Sequence, residues 1–121
     1  MKKKLTWQQA KEAESFLDHK FNTQENVVKI SKANTFRHEL SKYLLSWEAL
    51  HNDETFVTEA IFKNGKRADL FIKNDCVARE VVCSETQKSK DKKRKEYPVD
   101  VVFFEADNVI NIMLKQHGII K

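Results

Sequence analysis

Between residues 55 and 83 three short β-prone runs are separated by two tight turns, and no other feature limits the fold as much. The first run, 55–61, is TFVTEAI, rich in β-branched and aromatic residues. Asn64-Gly65 follows, a pair that tolerates the positive φ demanded by short hairpin loops. Residues 66–73 resume an alternating pattern, Asn74-Asp75 turns the chain again, and 76–83 makes the third run. The spacing predicts a β-meander of two hairpins.

Helices are expected on both sides of it. Thr6-x-x-Gln9 has the form of a capping box, and Trp7, Ala10, Ala13, Leu17 and Phe21 recur at helical spacing, predicting a helix over about 6–20. Residues 22–34 are polar apart from Val27, Val28 and Ile30, and read as a loop or a brief extra strand. Over 35–51, Phe36, Leu40, Tyr43, Leu44, Trp47 and Leu50 recur every three or four residues and predict one buried stripe, with Glu39 and Lys42 off it. Ser84-x-x-Gln87 predicts a capped basic helix to about Glu96, which Tyr97-Pro98 stops. VDVVFFEA over 99–106 is apolar on both faces, the pattern of a central strand parallel to its neighbour. Asp107 is placed to cap a last helix that Gly118 ends. The predicted order is α-α-βββ-α-β-α.

At 121 residues, with twelve aromatics, two Gly and one Pro, the chain suits one ordered domain. No apolar run approaches the roughly 20 residues that span a bilayer, and MKKKLTWQQAKEA offers no secretory signal, so a cytoplasmic protein without a membrane partner is expected. Cys76 and Cys83 form neither a Cys-x-x-Cys nor a zinc spacing, and are expected to be reduced, buried residues. The net charge of +4 is concentrated in KSKDKKRK at 88–95, and the remainder is close to neutral. A solvated helix face explains such a run, and so does a grip on a polyanion, DNA or RNA, by Lys88, Lys90, Lys92, Lys93, Arg94 and Lys95.

Strand parity singles out two acids. Arg67, Asp69 and Phe71 alternate onto one face of the second run, and Ala78, Glu80 and Val82 onto one face of the third. If the two runs are antiparallel neighbours, Asp69 and Glu80 point the same way and offer oxygen ligands suited to Mg²⁺ or Mn²⁺. A metal there polarises a phosphodiester and lowers the pKa of an attacking water. Glu59 and Glu39 can extend the acidic cluster. The structural alternative is that Arg67 and Arg79 pair with the acids, since carboxylates in RADLFI and AREVVCS, flanked by apolar residues, are costly unless partnered.

The run Glu59-x(9)-Asp69-x(10)-Glu80, between an amphipathic helix and a helix with an apolar strand, resembles the PD-(D/E)xK nuclease superfamily over residues 35–105. GKRADLFI, EVVCSET and KKRKEY are similar to elements of its competence-protein (CoiA-like) and RecB-type branches, and His38 with Lys42 to an H-x-x-x-K of some members' first core helix. The resemblance implies an α/β fold, a restriction-endonuclease-like αβββαβ core with a mixed central sheet flanked by helices. It implies one domain over 1–121, with a helical extension at about 1–33 and the core at about 35–117. By the same similarity Asp69 and Glu80 are metal ligands with the Val81 carbonyl near the ion, and Glu59 or Glu39 is an accessory acid. Val82 stands where the superfamily usually has its catalytic lysine. Lys93, four residues before Tyr97, is the best substitute from the following helix, with Lys88 and Lys92 as others, and His38, Lys42 and Tyr97 are accessory candidates. The expected function is therefore Mg²⁺-dependent hydrolysis of DNA phosphodiesters. The alternative is an inactive nucleic-acid-binding or interaction module on the same fold. A homodimer is expected by analogy only.

Overall fold

The structure, a computed structural model, describes residues 5–21 and 24–121; the lysine-rich start and residues 22 and 23 of the expected loop lie outside the described residues. The chain is an α/β protein with a mixed, open, four-stranded sheet. In chain order come α1 (Trp7–Phe16), α2 (Phe36–His51), β1 (Phe56–Ile61), β2 (Arg67–Ile72), β3 (Val77–Val82), α3 (Gln87–Glu96), β4 (Asp100–Glu105) and α4 (Ala106–Gln116). Among the described residues no helix is long and apolar enough to cross a membrane.

The sheet runs β1-β2-β3-β4, antiparallel across the first three strands and parallel between β3 and β4. At the first turn Gly65 takes φ 86°, which only glycine adopts without strain. Each face of the sheet has its own core. Leu44, Leu45, Phe56, Leu70, Ile72, Val81, Val109 and Met113 pack on the side of α2 and α4. Ala13, Leu17, Val57, Phe62, Phe71, Ala78 and Tyr97 pack on the side of α1 and α3.

β4 is parallel to β3 as expected, yet it lies at the sheet edge rather than the centre. Its two-sided apolarity has another cause: Phe104 packs toward α2 and α4, Val101 toward the opposite core, and Lys90 and Arg94 of α3 lie over the Phe103 ring. The other edge is screened by residues 24–34, which form no strand. Asn26 N–H donates to the Phe56 carbonyl (2.8 Å), and the Thr58 hydroxyl accepts from Lys29 N–H (2.9 Å) and donates to the Val27 carbonyl (2.7 Å). Covering an edge this way removes a template for unwanted strand pairing.

Several local expectations are corrected. The Thr6 capping box forms, but α1 ends at Phe16 because Leu17 turns extended and bridges to Phe62. Trp7 is 73% exposed under the Lys11 ammonium instead of packing in the core. Thr86, not Ser84, caps α3 by accepting from Ser89 N–H. Glu105 occupies the N-cap of α4, and Asp107, inside the first turn, pairs with Arg37 at 3.0 Å. Cys83 is exposed and Cys76 only half-buried. Gly118, at φ 72°, ends α4 as its position predicts.

The largest correction concerns α2. Phe36, Tyr43 and Leu50 of the expected buried stripe are exposed, Leu40 and Trp47 are half-buried, and the buried residues are Ser41, Lys42, Leu44, Leu45, Ser46 and Ala49. A polar buried face is tolerable only when its groups are satisfied. Ser41 donates to the Ala106 carbonyl (3.2 Å), Ser46 to that of Lys42 (2.7 Å), and the fully buried Lys42 ammonium lies 2.6 Å from Glu39 and 3.0 Å from Glu59. Small serines also let the helix approach its neighbours closely.

This orientation reverses the usual ranking of substitutions. Lys42→Ala should lower unfolding stability by about 3–5 kcal/mol, since it strands two partly buried carboxylates. Phe36→Ala should stay within about 0.5 kcal/mol of the parent, as exposed positions do. Urea denaturation of both variants checks this; the opposite order would reject the placement of α2.

Candidate functional site

Asp69 and Glu80 come together at the point where the β2–β3 ladder opens. The paired register runs Ile72↔Val77, Phe71↔Ala78, Leu70↔Arg79 and stops there. Beyond it the side chains take over: Asp69 N–H donates to Glu80 Oε2 (2.6 Å) and Val81 N–H donates to Asp69 Oδ2 (2.8 Å). Each carboxyl thus satisfies a backbone donor that the strands no longer satisfy between themselves.

Strict alternation does not hold through this point. Ala68 and Phe71 of β2, three residues apart, face the same core, as do Val57 and Ala60 of β1. The residues where the strands change face are Asp69 and Glu59, which is in register to oppose it, and Glu59 takes φ 51°. A left-handed φ is uncommon for a non-glycine residue and needs support from its surroundings. Here Lys42 holds the Glu59 carboxylate.

Asp69 and Glu80 line a cavity of about 420 Å³, with Ala33, Asn34, Thr35 and His38 on the α2 side and Glu85, Lys93 and Tyr97 on the α3 side. His38 Nε2 is 3.2 Å from Asp69 Oδ2, and its Nδ1 is 3.2 Å from Glu39 Oε1. Tyr97 donates its hydroxyl to Glu80, and Lys93 Nζ lies 3.6 Å from the same carboxyl. Lys93 is held more closely, at 2.6 Å, by Glu85, which also accepts from the Ser89 hydroxyl at 3.1 Å.

The two acids titrate in opposite directions. Burial resists ionisation of Asp69, but hydrogen bonds from His38 and Val81 outweigh it and hold the carboxyl below the usual range. Burial and the neighbouring Asp69 charge push Glu80 up to about 8, so the pair shares one proton at neutral pH. The Asp69 hydrogen bond raises His38 against the effect of its burial. Burial works against the Lys93 charge, but Glu85 and Glu80 more than restore it. Tyr97 is raised by burial and by Glu80, and stays a neutral donor.

The sequence-derived residues divide accordingly. Asp69, Glu80, Lys93, His38 and Tyr97 meet in one cavity. Val81 lines it too, and the contact it makes with the acids is its N–H to Asp69. Glu59, Glu39 and Lys42 form an adjoining ion network, joined to the cavity through His38. Among the described residues no ion pair joins either arginine to the two acids: Arg79 lies 3.5 Å from Glu54, and Arg67, which lines the cavity, meets Tyr97 through its backbone carbonyl. Val82 is buried, away from the cavity lining. The basic run does not act as one face: Lys93 turns into the cavity, Lys90 and Arg94 cover Phe103, and Lys88, Lys92 and Lys95 are exposed at i, i+4, i+7 spacing. Glu85 is a charged cavity residue that motif reading missed, and Asn34, Thr35 and Cys83 also line the cavity without having been singled out for it. The signal for Glu85 was an acid just before the Thr86 cap, placed to reach back to Ser89 and Lys93 of the helix that follows.

Among the described residues no group of three or more His, Cys, Asp or Glu is arranged to hold a metal ion. The donor chemistry of the pair still fits a hard divalent cation: two carboxyls that compete for one proton leave room for positive charge in the proton's place. Comparison of the chain with protein-family models, with curated proteins and with solved structures found no match.

The shared proton has a measurable consequence. Glu80 carries a folded-state pKa of about 8, above its ordinary 4.5, so the folded protein holds a proton that the unfolded chain releases. Stability should therefore fall as pH rises from about 4.5 to about 8, and flatten above that. His38, also raised, adds a loss in the same direction as pH climbs through its folded value. Urea midpoints between pH 5 and 9 should show this slope, and Glu80→Gln should flatten it. A parental stability that rises over this window would contradict the shared proton.

Proposed function

We propose that this domain is a metal-dependent nuclease that hydrolyses DNA phosphodiesters on a restriction-endonuclease-like αβββαβ core. The observation that carries the reading is that Asp69, Glu80 and Lys93 line one cavity, although they come from β2, β3 and α3. The element order α2-β1-β2-β3-α3-β4, with β4 parallel to β3, is compatible with that core.

Mg²⁺ or Mn²⁺ held by Asp69 and Glu80 would supply Lewis-acid polarisation of the phosphodiester and a water of lowered pKa. The remaining roles fall to the chain itself. Lys93 reaches the cavity from α3, so it can offset negative charge building on the scissile phosphate, a task Val82 cannot perform. Tyr97 orients Glu80 and His38 orients Asp69, each through a hydrogen bond. The exposed stripe of Lys88, Lys92 and Lys95 supplies sequence-independent phosphate contacts.

A binding module without cleavage is the second reading, favoured by buried Val82 and by Lys93 lying closer to Glu85 than to Glu80. The two readings separate in one assay. With Mg²⁺ or Mn²⁺, the nuclease reading expects cleavage of plasmid or branched DNA, lost in Asp69→Ala and Glu80→Ala and reduced at least about 100-fold in Lys93→Ala. Replacing Lys88, Lys92 and Lys95 together should weaken DNA binding and shallow its salt dependence by up to about three units of slope. Folded parent protein that cuts no nucleic acid, while the lysine effect on binding persists, would leave only the binding module.

A further inference from the structure

The exposed apolar stripe of α2 has no place in the reading above. Phe36 and Ile30 are each 81% exposed and Tyr43 is 48% exposed, and with Val28 and Leu40 they line a groove of about 320 Å³. Contiguous exposed apolar surface of this kind marks an interaction site. The groove adjoins the carboxylate cavity across the first turn of α2. Thr35 and His38 line the cavity, whereas Phe36 and Glu39 line the groove.

The chemistry around the groove favours a polyanion over a protein. Lys42 is held in its buried network and Arg37 pairs with Asp107, so the charge the groove presents comes from Lys29 and Lys32, against one lining acid, Glu39. That acid is turned inward, accepting from Ser31 N–H (3.1 Å), Asn34 (2.8 Å) and Lys42 (2.6 Å). Lys32 is exposed beside the groove segment, and Lys29 lies between two of its lining residues. A double helix presents base edges in its grooves but keeps the base faces stacked inside, so a ring has no base face to stack on. Unpaired bases stack on aromatic rings whatever their sequence. Phe36 and Tyr43 stand seven residues apart on one helix, about 10 Å along its axis, enough to receive separate bases.

We propose that this groove binds single-stranded nucleic acid, its bases stacked on Phe36 and Tyr43, its phosphates near Lys29 and Lys32, and its chain leading past Thr35 into the Asp69–Glu80 cavity. The inference rests on the nucleic-acid reading for its polymer and adds the strandedness. It assigns the domain to single-stranded tails, flaps or loops.

The test is fluorescence anisotropy with a labelled 20-nucleotide thymidine oligomer and a duplex of the same length, using the full chain with EDTA present. Phe36→Ala with Tyr43→Ala should weaken single-strand binding at least about tenfold and leave duplex binding within about twofold. Phe36→Trp should bind like the parent, whereas Phe36→Leu, apolar but without a ring, should lose affinity as alanine does. Parent protein that does not bind the oligomer would overturn the proposal, as would a leucine variant that binds it normally. So would sedimentation showing that Phe36→Ala merely splits a dimer, since the groove would then be a contact between copies of this chain. Binding is read without cleavage, so the two proposals fail separately. Ring-dependent binding by a protein that never cuts removes only the nuclease, and metal-dependent cutting indifferent to both rings removes only the groove.

Discussion

Where β2 and β3 part company, two carboxyl groups take up hydrogen bonds that the backbone ladder relinquishes. Asp69 and Glu80 each accept from a backbone N–H at the point of divergence, one from Val81 and the other from Asp69 itself. An open ladder without such acceptors would bury unsatisfied donors, and acids without such donors would pay their full desolvation cost. The same contacts therefore stabilise the sheet and hold two like charges together. One proton shared between them follows from that closeness.

Around this pair the two layers of helix supply opposite kinds of partner. From α2 come His38 and, behind it, Glu39 and Lys42, which with Glu59 of β1 form an ion network fully sequestered at its lysine. From α3 and the residues that flank it come Lys93, Tyr97 at its C-cap and Glu85 just before its N-cap. Both sets converge because the strands change face at Asp69 and Glu59, where a left-handed Glu59 interrupts regular pleating. Hairpin register alone puts Asp69 beside Glu80; the irregularity adds the opening of the ladder and the approach of the Lys42–Glu59 network from α2 and β1.

The cost of that arrangement appears on α2. Its inward face carries Lys42 and two serines bonded to backbone carbonyls beside Leu44, Leu45 and Ala49, and the rings of Phe36 and Tyr43 are turned to solvent. The proposed single-strand groove gives that displaced apolar surface a purpose, across the first turn of α2 from the cavity that holds the acids. Basic residues follow the same economy in α3, where Lys93 serves the cavity, Lys90 and Arg94 shield Phe103, and an outer lysine stripe meets solvent.

Local chemistry was enough to predict the order of elements, the Asn64-Gly65 turn, the Thr6 cap, the Gly118 stop and the proximity of Asp69 to Glu80, because turns, caps and cross-strand neighbours depend on residues close in sequence or in hairpin register. It misjudged whatever depended on partners far along the chain. Lys42 looks like a surface residue until Glu59, seventeen positions away, is brought to it. Phe36 looks like core until the opposite face of its helix is satisfied by distant acceptors. β4 looks central until the sheet is seen to end there with helices on both its faces. Burial of a polar group is decided by whether tertiary contacts complete its hydrogen bonds, and periodicity carries no information about that.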